Sequence, residues 1–442
     1  MASSPSQSTA GQSTAGQSPA GRAPFATSLA EELAADVLDR FLRYVRVDTQ
    51  SDVASTTYPS TVKQLDLSRL LVAELRAIGL EDARLTDYGY VFATLPGAVE
   101  EPVVGLLAHV DTSTECSGEG VVPLLHESYD GRVIVLPGDP NQTLDPSDTP
   151  ELAARVGHDI VTSDGTTLLG ADDKAGVAEI MAAVAWLARH PEVPHAPLRI
   201  GFTVDEEVSR GTLHFDLEEF EAELAYTLDG SGFGVLESES FSAKEVVITI
   251  HGRGTHPGTA KGKLVNSLKL AADLIAGLPR DGLSPETTEG REGFVHPSRI
   301  SGTAEETRLT LIARDHDDER LEEHIALLRR LADDVVAREP RARVDVDVEF
   351  QYPNMGQAIE KHPRVVAAAV EAYRRIGVQA VFEPIRGGTD GSRLSAAGLP
   401  TPNLFTGGQD YHSVREWASV QDMAAAAAMV VELVQIWAEP TA

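Results

Sequence analysis

The chain of 442 residues carries 68 acidic and 37 basic side chains, a formal net charge of −31. That length suffices for more than one domain with a substantial core, and the charge disfavours nucleic acid and anionic membranes as partners while suiting cations. The single cysteine, Cys116, excludes an intrachain disulfide and a Cys-based zinc site, and fits a cytoplasmic setting.

Residues 1–27 read as a disordered, low-complexity tail. The units Ser-Gln-Ser-Thr-Ala, Gly-Gln-Ser-Thr-Ala and Gly-Gln-Ser-Pro-Ala follow one another, with one charge, Arg22, and no apolar run. Neither a secretory signal peptide nor an anchor is expected there. No later apolar run is expected to span a membrane.

Ser28-Leu-Ala-Glu31 fits a capping box that opens an amphipathic helix to about Val45. A second helix is predicted from about Thr61 to Ile78, stopped by Gly79. Pro102 to Ala108 reads as a buried strand ending in His109-Val-Asp-Thr112, and Ser113 to about Asp159 as an extended excursion. Asp164-Gly165 suggests a hairpin turn. Then come two adjacent carboxylates, Asp172 and Asp173, at a helix start, with Val177, Ile180, Met181, Val184 and Leu187 at helical spacing. A helix N-terminus favours anions.

Leu198 to Val204 reads as a strand ending in Asp205-Glu-Glu207, and Leu224 to Leu228 as one ending in Asp229. Strands alternating with helices predict an α/β fold with a mostly parallel sheet, in which functional groups gather outside the carboxyl ends of the strands. His109, Asp111, Glu206, Glu207 and Asp229 all fall there.

Residues 244–352 follow another rhythm, β-α-β-β-α-β, the ferredoxin-like split pattern. Leu321, Ile325, Leu328, Leu331 and Val335 mark one face of its second helix. This block is expected to be an inserted α+β domain. The first domain is then discontinuous, covering 28–243 and 353–442. Its second part holds a helix near Pro363 to Ile376, a strand at Pro402 to Phe405, His412 and a last helix from about Val420.

Five groups make a two-metal site: His109, Asp172, Glu207, Asp229 and His412. Imidazole and carboxylate ligands suit zinc, and also cobalt or manganese. A carboxylate has the two oxygens needed to span two metals; spacing alone does not separate Asp172 from Asp173 in that role. The other four ligands divide as one histidine and one carboxylate per metal. A water between the metals would have its pKa lowered towards ~7. Asp111, on the same side of an extended chain as His109, could accept from the other imidazole nitrogen and orient the ring. Glu206, beside the ligand Glu207, is the natural general base, and later the acid for the leaving amine.

These motifs resemble those of the co-catalytic zinc aminopeptidases and deacylases. The resemblance rests on His109-Val-Asp-Thr112, Gly170-Ala-Asp-Asp-Lys-Ala-Gly176, Asp205-Glu-Glu207, Tyr226-Thr-Leu-Asp229 and Tyr411-His412. Within that family the chain is most similar to the tripeptide aminopeptidases, through Ser163-Asp-Gly-Thr-Thr-Leu-Leu169, His256-Pro-Gly-Thr-Ala-Lys261, Tyr352-Pro-Asn-Met355, Arg386-Gly-Gly-Thr-Asp-Gly391 and Pro402-Asn-Leu-Phe-Thr-Gly-Gly408. The resemblance runs from about Leu29 to the C-terminus.

It implies two zinc ions per subunit, one on His109 and Asp229, the other on Glu207 and His412, with Asp172 rather than Asp173 on both. It implies Asp111 and Glu206 as catalytic acids, short peptides with a free N-terminus as substrates, and a homodimer formed through the inserted domain. Aspartate at 229 accompanies peptidases that act on free amino ends. His256 could swing over the site to stabilise an oxyanion, and Arg386 could pair with the substrate's terminal carboxylate. Asn354 is the third expected substrate contact. The competing readings are a dipeptidase or N-acyl-amino-acid deacylase of the same clan, a catalytically inactive metal-binding relative, and an acidic interaction protein.

Overall fold

The computed structural model describes residues 23–440. Its larger domain is built on an eight-stranded sheet. The spatial order is Arg84–Leu85, Val91–Leu95, Leu198–Thr203, Val104–His109, Leu224–Gly230, Asn403–Phe405, Val235–Glu237 and Val381–Phe382. Val104–His109 runs parallel to both of its neighbours, and Leu224–Gly230 parallel to Asn403–Phe405. Antiparallel pairs occur nearer the edges. Every residue of Val104–His109 and Leu198–Thr203 is buried, as expected of parallel strands covered on both faces.

The helices Ser28–Tyr44, Ala171–Arg189, Val420–Ala438 and Pro363–Arg375 pack on one another. Ala171–Arg189 also packs against Val104–His109 and Leu224–Gly230. Five consecutive alanines, Ala424 to Ala428, are buried in Val420–Ala438. Alanine is the strongest helix former, and its small side chain lets neighbouring helices approach closely. This helix is also long and apolar enough to cross a membrane, contrary to the sequence expectation, but 83% of its apolar window is buried inside the protein. It is a core helix.

The inserted domain matches its expected pattern. Its strands lie in the order Phe294–Gly302, Glu306–Asp315, Ser242–His251, Arg343–Tyr352, all antiparallel. The helices Ser267–Ala276 and Asp318–Arg338 pack on this sheet, and Leu321, Ile325, Leu328, Leu331 and Val335 are all buried. A third, small sheet joins Gly408–Gln409, Trp417–Ser419, Ile160–Thr162 and Leu124–His126. It fastens the excursion after Ser113 to the C-terminal segment that carries His412.

Three local expectations are corrected. The first helix is capped by Thr27, whose side chain accepts from Ala30 N–H, so the Ser28–Glu31 capping box does not form. The folded body starts earlier than residue 28: Ala23 N–H donates to Gly157 O, and Phe25 packs on the core. The rest of the repetitive tail, residues 1–22, lies outside the described residues. Asp164-Gly165 makes a turn but no hairpin. Ile160–Thr162 pairs with Trp417–Ser419 and Leu124–His126, and the turn closes on itself through Ser163 Oγ to Thr167 O and Thr166 N–H to Asp164 Oδ1.

Candidate metal centre

The sheet brings the acids and histidines to one end. His109 closes Val104–His109, with Thr203 opposite it on the next strand. Asp205-Glu-Glu207 follows Thr203, and Asp229 lies at the end of the strand Leu224–Gly230 on the other flank. Asp172 stands at the head of Ala171–Arg189. His412 comes from the loop between Gly408–Gln409 and Trp417–Ser419.

Asp172 lies between the two imidazoles. Its Oδ1 is 3.0 Å from His109 Nε2 and its Oδ2 is 3.1 Å from His412 Nε2. His109 Nε2 is also 3.6 Å from Asp229 Oδ1, and His412 Nε2 is 2.9 Å from Glu207 Oε2. Ligand atoms of His109, Asp172 and Glu207 lie within 4.8 Å of one another, as do those of His109, Asp173 and Asp229. Asp173 is otherwise engaged: its Oδ2 accepts from His109 N–H at 3.1 Å, and its Oδ1 would stand 2.5 Å from a Cβ on Gly176. It supports the backbone that carries His109.

Local structure explains how these side chains are held. Gly170 takes a left-handed φ of 81°, which glycine adopts freely. Asp172 and Asp173 are non-helical, so the regular helix starts after them; the peptide between them is cis. In place of a capping side chain, the buried carboxylate of Glu416 accepts from Leu169, Gly170 and Asp172 N–H at 2.8, 2.7 and 3.0 Å.

The Glu206–Glu207 turn is fastened in a similar way. Asp205 has a left-handed φ of 61°, unusual for a residue with a side chain. Its carboxylate accepts from Ser60 N–H, the Ser60 hydroxyl, Gln64 and Arg210. Asp111 accepts from Glu206 N–H on one oxygen and Glu207 N–H on the other, at 3.0 and 3.1 Å, and from the Ser51 hydroxyl. This refines the expected contact with His109. His109 Nδ1 lies 3.0 Å from the main-chain carbonyl of Asp111 and 3.5 Å from its carboxylate. A proton on Nδ1 therefore goes to the carbonyl and leaves Nε2 facing the other acids.

Without a cation between them, these acids cannot all ionise. Burial, then the neighbouring Asp172 charge, pushes Glu207 up to about 8. Burial holds Glu206 and Asp173 well above the usual carboxylate range and raises Asp229. Burial would raise Asp172 too, but hydrogen bonds from His109 and His412 outweigh it and hold that carboxyl below its ordinary value. Hydrogen bonds to Asp172 and Glu207 push His412 up to about 11. Glu207 Oε1 is buried with no hydrogen-bond partner. An orphaned carboxylate oxygen among crowded acids and imidazoles fits a site for divalent cations.

The three expected substrate contacts lie apart from this cluster. His256 is exposed on the inserted domain, its Nδ1 accepting from Gly258 N–H. Arg386 binds the carbonyls of Thr288, Gly290 and Glu292 and sits over the rings of Phe241 and Phe294. Asn354 is buried at the domain junction with its hydrogen-bonding capacity filled. Its oxygen accepts from Ser240 and Gly356 N–H, and its amide donates to Glu239 and His316 O. It is a junction residue here, with nothing left over for a substrate.

Two site residues were not singled out from the sequence. Glu416 has no local signal: it acts on a loop 244 residues or more away. Asp390, which burial pushes up to about 7, lies in the glycine-rich Arg386–Gly391 segment, in which Arg386 is the residue whose charge signals a substrate contact.

Comparisons with known proteins place the chain in a family. The family model described as "Peptidase family M20/M25/M40" matches residues 162–436. A relative named Peptidase T from Geobacillus kaustophilus is 48% identical over 404 residues, covering 91% of this chain and 98% of its own. The crystal structure of an aminopeptidase PepT from Bacillus cereus superposes with a TM-score of 0.72 at 23% identity, covering 92% of this chain and 99% of that one. A Bacillus subtilis protein described as a dinuclear metal binding peptidase of the M20 family superposes with a TM-score of 0.62 at 15% identity, covering 92% and 98%. At those identities the two structures speak for the fold; the family match and the 48% relative carry the assignment. The chain belongs to peptidase family M20/M25/M40 and is a peptidase.

Proposed function

We propose that the protein is a dizinc aminopeptidase that releases the N-terminal residue of tripeptides. The observation that carries this reading is Asp172, with one carboxylate oxygen on His109 and the other on His412. His109 and Asp229 would hold one zinc, Glu207 and His412 the other, and Asp172 both. Cobalt or manganese suits the same donors. Bound there, two such ions supply Lewis acidity to the scissile carbonyl and to the attacking water. The tripeptide substrate is supported by the relative named Peptidase T and by aspartate at position 229.

The chain's own groups account for the proton transfers. Glu206 has none of the imidazole contacts made by its neighbour Glu207, so its carboxylate is free to take a proton from water. Its backbone is fixed by Asp111. The same carboxyl, once protonated, delivers that proton to the departing amine. Asp111 acts by holding both glutamates and, through its carbonyl, the ring of His109.

Substrate contacts complete the reading. His256 would close over the site from the inserted domain and donate to the oxyanion; an unchanged kcat in His256→Ala would remove it. Arg386 would meet the terminal carboxylate after loosening its hold on the Thr288–Glu292 carbonyls. If its replacement cost a tripeptide no more than the C-terminal amide, that pairing would be wrong. Homodimerisation through the inserted domain and a cytoplasmic location belong to the same proposal. The test is a panel of free-amine tripeptides, dipeptides and N-acyl amino acids. Tripeptides should be cleaved fastest; preference for either other class would select a dipeptidase or a deacylase.

A further inference from the structure

We propose that Asp390, which is not among the expected metal ligands, is a positioning residue for the turn that carries Glu206. The inference rests on the metallopeptidase reading of that turn. Two of the turn's fastenings are described above: Asp111 takes the N–H groups of Glu206 and Glu207, and Asp205 is tied to Ser60, Gln64 and Arg210. Asp390 supplies a third: it bonds the chain ahead of the glutamates and lies against it beyond them.

On the near side, the buried Thr203 hydroxyl donates to Asp390 Oδ2 at 2.7 Å. Thr203 ends its strand shortly before Glu206 and lies opposite His109. On the far side, Gly211 presses on the other oxygen; a Cβ there would stand 2.1 Å from Asp390 Oδ1. One carboxylate, 5% exposed, thus anchors the chain where it enters the turn and packs against it where it leaves. A side chain at 211 would force it aside.

A positioning group must itself be held in place, and the helix that carries Asp390 is tied to its surroundings. It opens the helix Asp390–Ala397, capped by Thr389 Oγ1, which accepts from Gly391 N–H at 2.9 Å. Gly391 lies so close to Thr401 that a Cβ would come within 2.5 Å of its carbonyl. Ser392 Oγ bonds Ser240 Oγ at 2.9 Å, and Ser240 N–H donates to Asn354 Oδ1 at 3.2 Å. The first turn of this helix is therefore pinned to both chain crossings between the two domains. None of Asp390's hydrogen bonds among the described residues reaches His109, Asp172, Glu207, Asp229 or His412. It acts on the placement of the base through Thr203.

Displacing a base by about 1 Å can cost ~100-fold in rate, so the effect belongs in kcat. The test compares Thr203→Val, which keeps the side-chain shape and removes the hydroxyl, with Asp390→Ala, which removes both acceptor oxygens, and the double variant, on any peptide the wild type cleaves. Each single variant should lower kcat by ~10-fold or more, with KM within ~2-fold and metal content at the wild-type level. The double variant should lose no more than the worse single one, because both break one link. Thr203→Ser, which keeps the hydroxyl, should restore most of the rate. Wild-type kcat in Thr203→Val, a loss confined to KM, metal loss in parallel with rate, or full additivity would each overturn the proposal. Failure of the wild type on tripeptides, with cleavage of another peptide, would instead sink the substrate reading and leave Asp390 to be judged on that peptide.

Discussion

Asp172 and Glu206 are both half-buried carboxyls in one cluster, yet they are expected to fail differently. Asp172 is hydrogen-bonded by two imidazoles, so Asp172→Ala should lose metal. Glu206 has no such contact, so Glu206→Gln should abolish turnover with both metals kept. Metal analysis of the purified variants decides this, and equal metal loss in both would overturn the split of roles. Glu416 offers a subtler case. Its carboxylate holds three N–H groups of the loop ahead of Asp172, and such support commonly affects metal affinity by ~10–100-fold. Glu416→Ala should weaken metal binding by that much in a competition assay with a chelator; unchanged affinity would show the loop to be self-supporting. At this scale the sequence was most informative where reactive residue types stand together, as in His109-Val-Asp111 or Glu206-Glu207. It was silent on Glu416 and Asp390, whose roles arise only when distant segments meet. It also placed His109's partner on the Asp111 carboxylate, whereas the shorter contact is to that residue's carbonyl, a main-chain detail that spacing does not encode.

Among the elements, Ala171–Arg189 is the most tightly constrained. At Gly176 it lies so close to Leu224–Gly230 that a Cβ would stand 1.9 Å from Leu228 O and 2.5 Å from Asp173 Oδ1. Neither the strand carbonyl nor the buried carboxylate can move cheaply. Gly176→Ala, favourable for an isolated helix, should here destabilise the protein by ~2 kcal/mol or more through overpacking. Chemical denaturation measures this, and a neutral or stabilising result would mean the helix can shift. The inserted domain was legible in the sequence nearly element by element, because its helix face and strand alternation are set by near neighbours. Ile160–Thr162 was not. A three-residue strand has too little pattern to reveal its partners, which lie near residues 124 and 417. The adjoining Asp-Gly therefore suggested a hairpin that long-range pairing overrides.

For the molecule as a whole, the two domains meet at Asn354, whose oxygen serves two buried N–H groups from the two chain crossings. Asn354→Ala would leave both without an acceptor, at about 1–3 kcal/mol for each unsatisfied group. A denaturation midpoint equal to wild type would show that the junction relaxes around the loss. Metal uptake is the other global property. In the metal-free protein the hydrogen bonds to Asp172 and Glu207 push the His412 imidazole up to about 11, so the His412–Glu207 pair holds a proton at pH 7. Ligation needs the deprotonated forms, so binding should release protons, and apparent affinity should rise with pH between about 6 and 8. Calorimetry in buffers of different ionisation enthalpy reads this directly, and equal heats would exclude proton release. The most direct test of the whole account is an anomalous-scattering crystal structure of the zinc-loaded protein. It should show two zinc peaks, one between His109, Asp172 and Asp229, the other between Asp172, Glu207 and His412. A single peak, or peaks that leave Asp172 unshared, would contradict the two-metal centre.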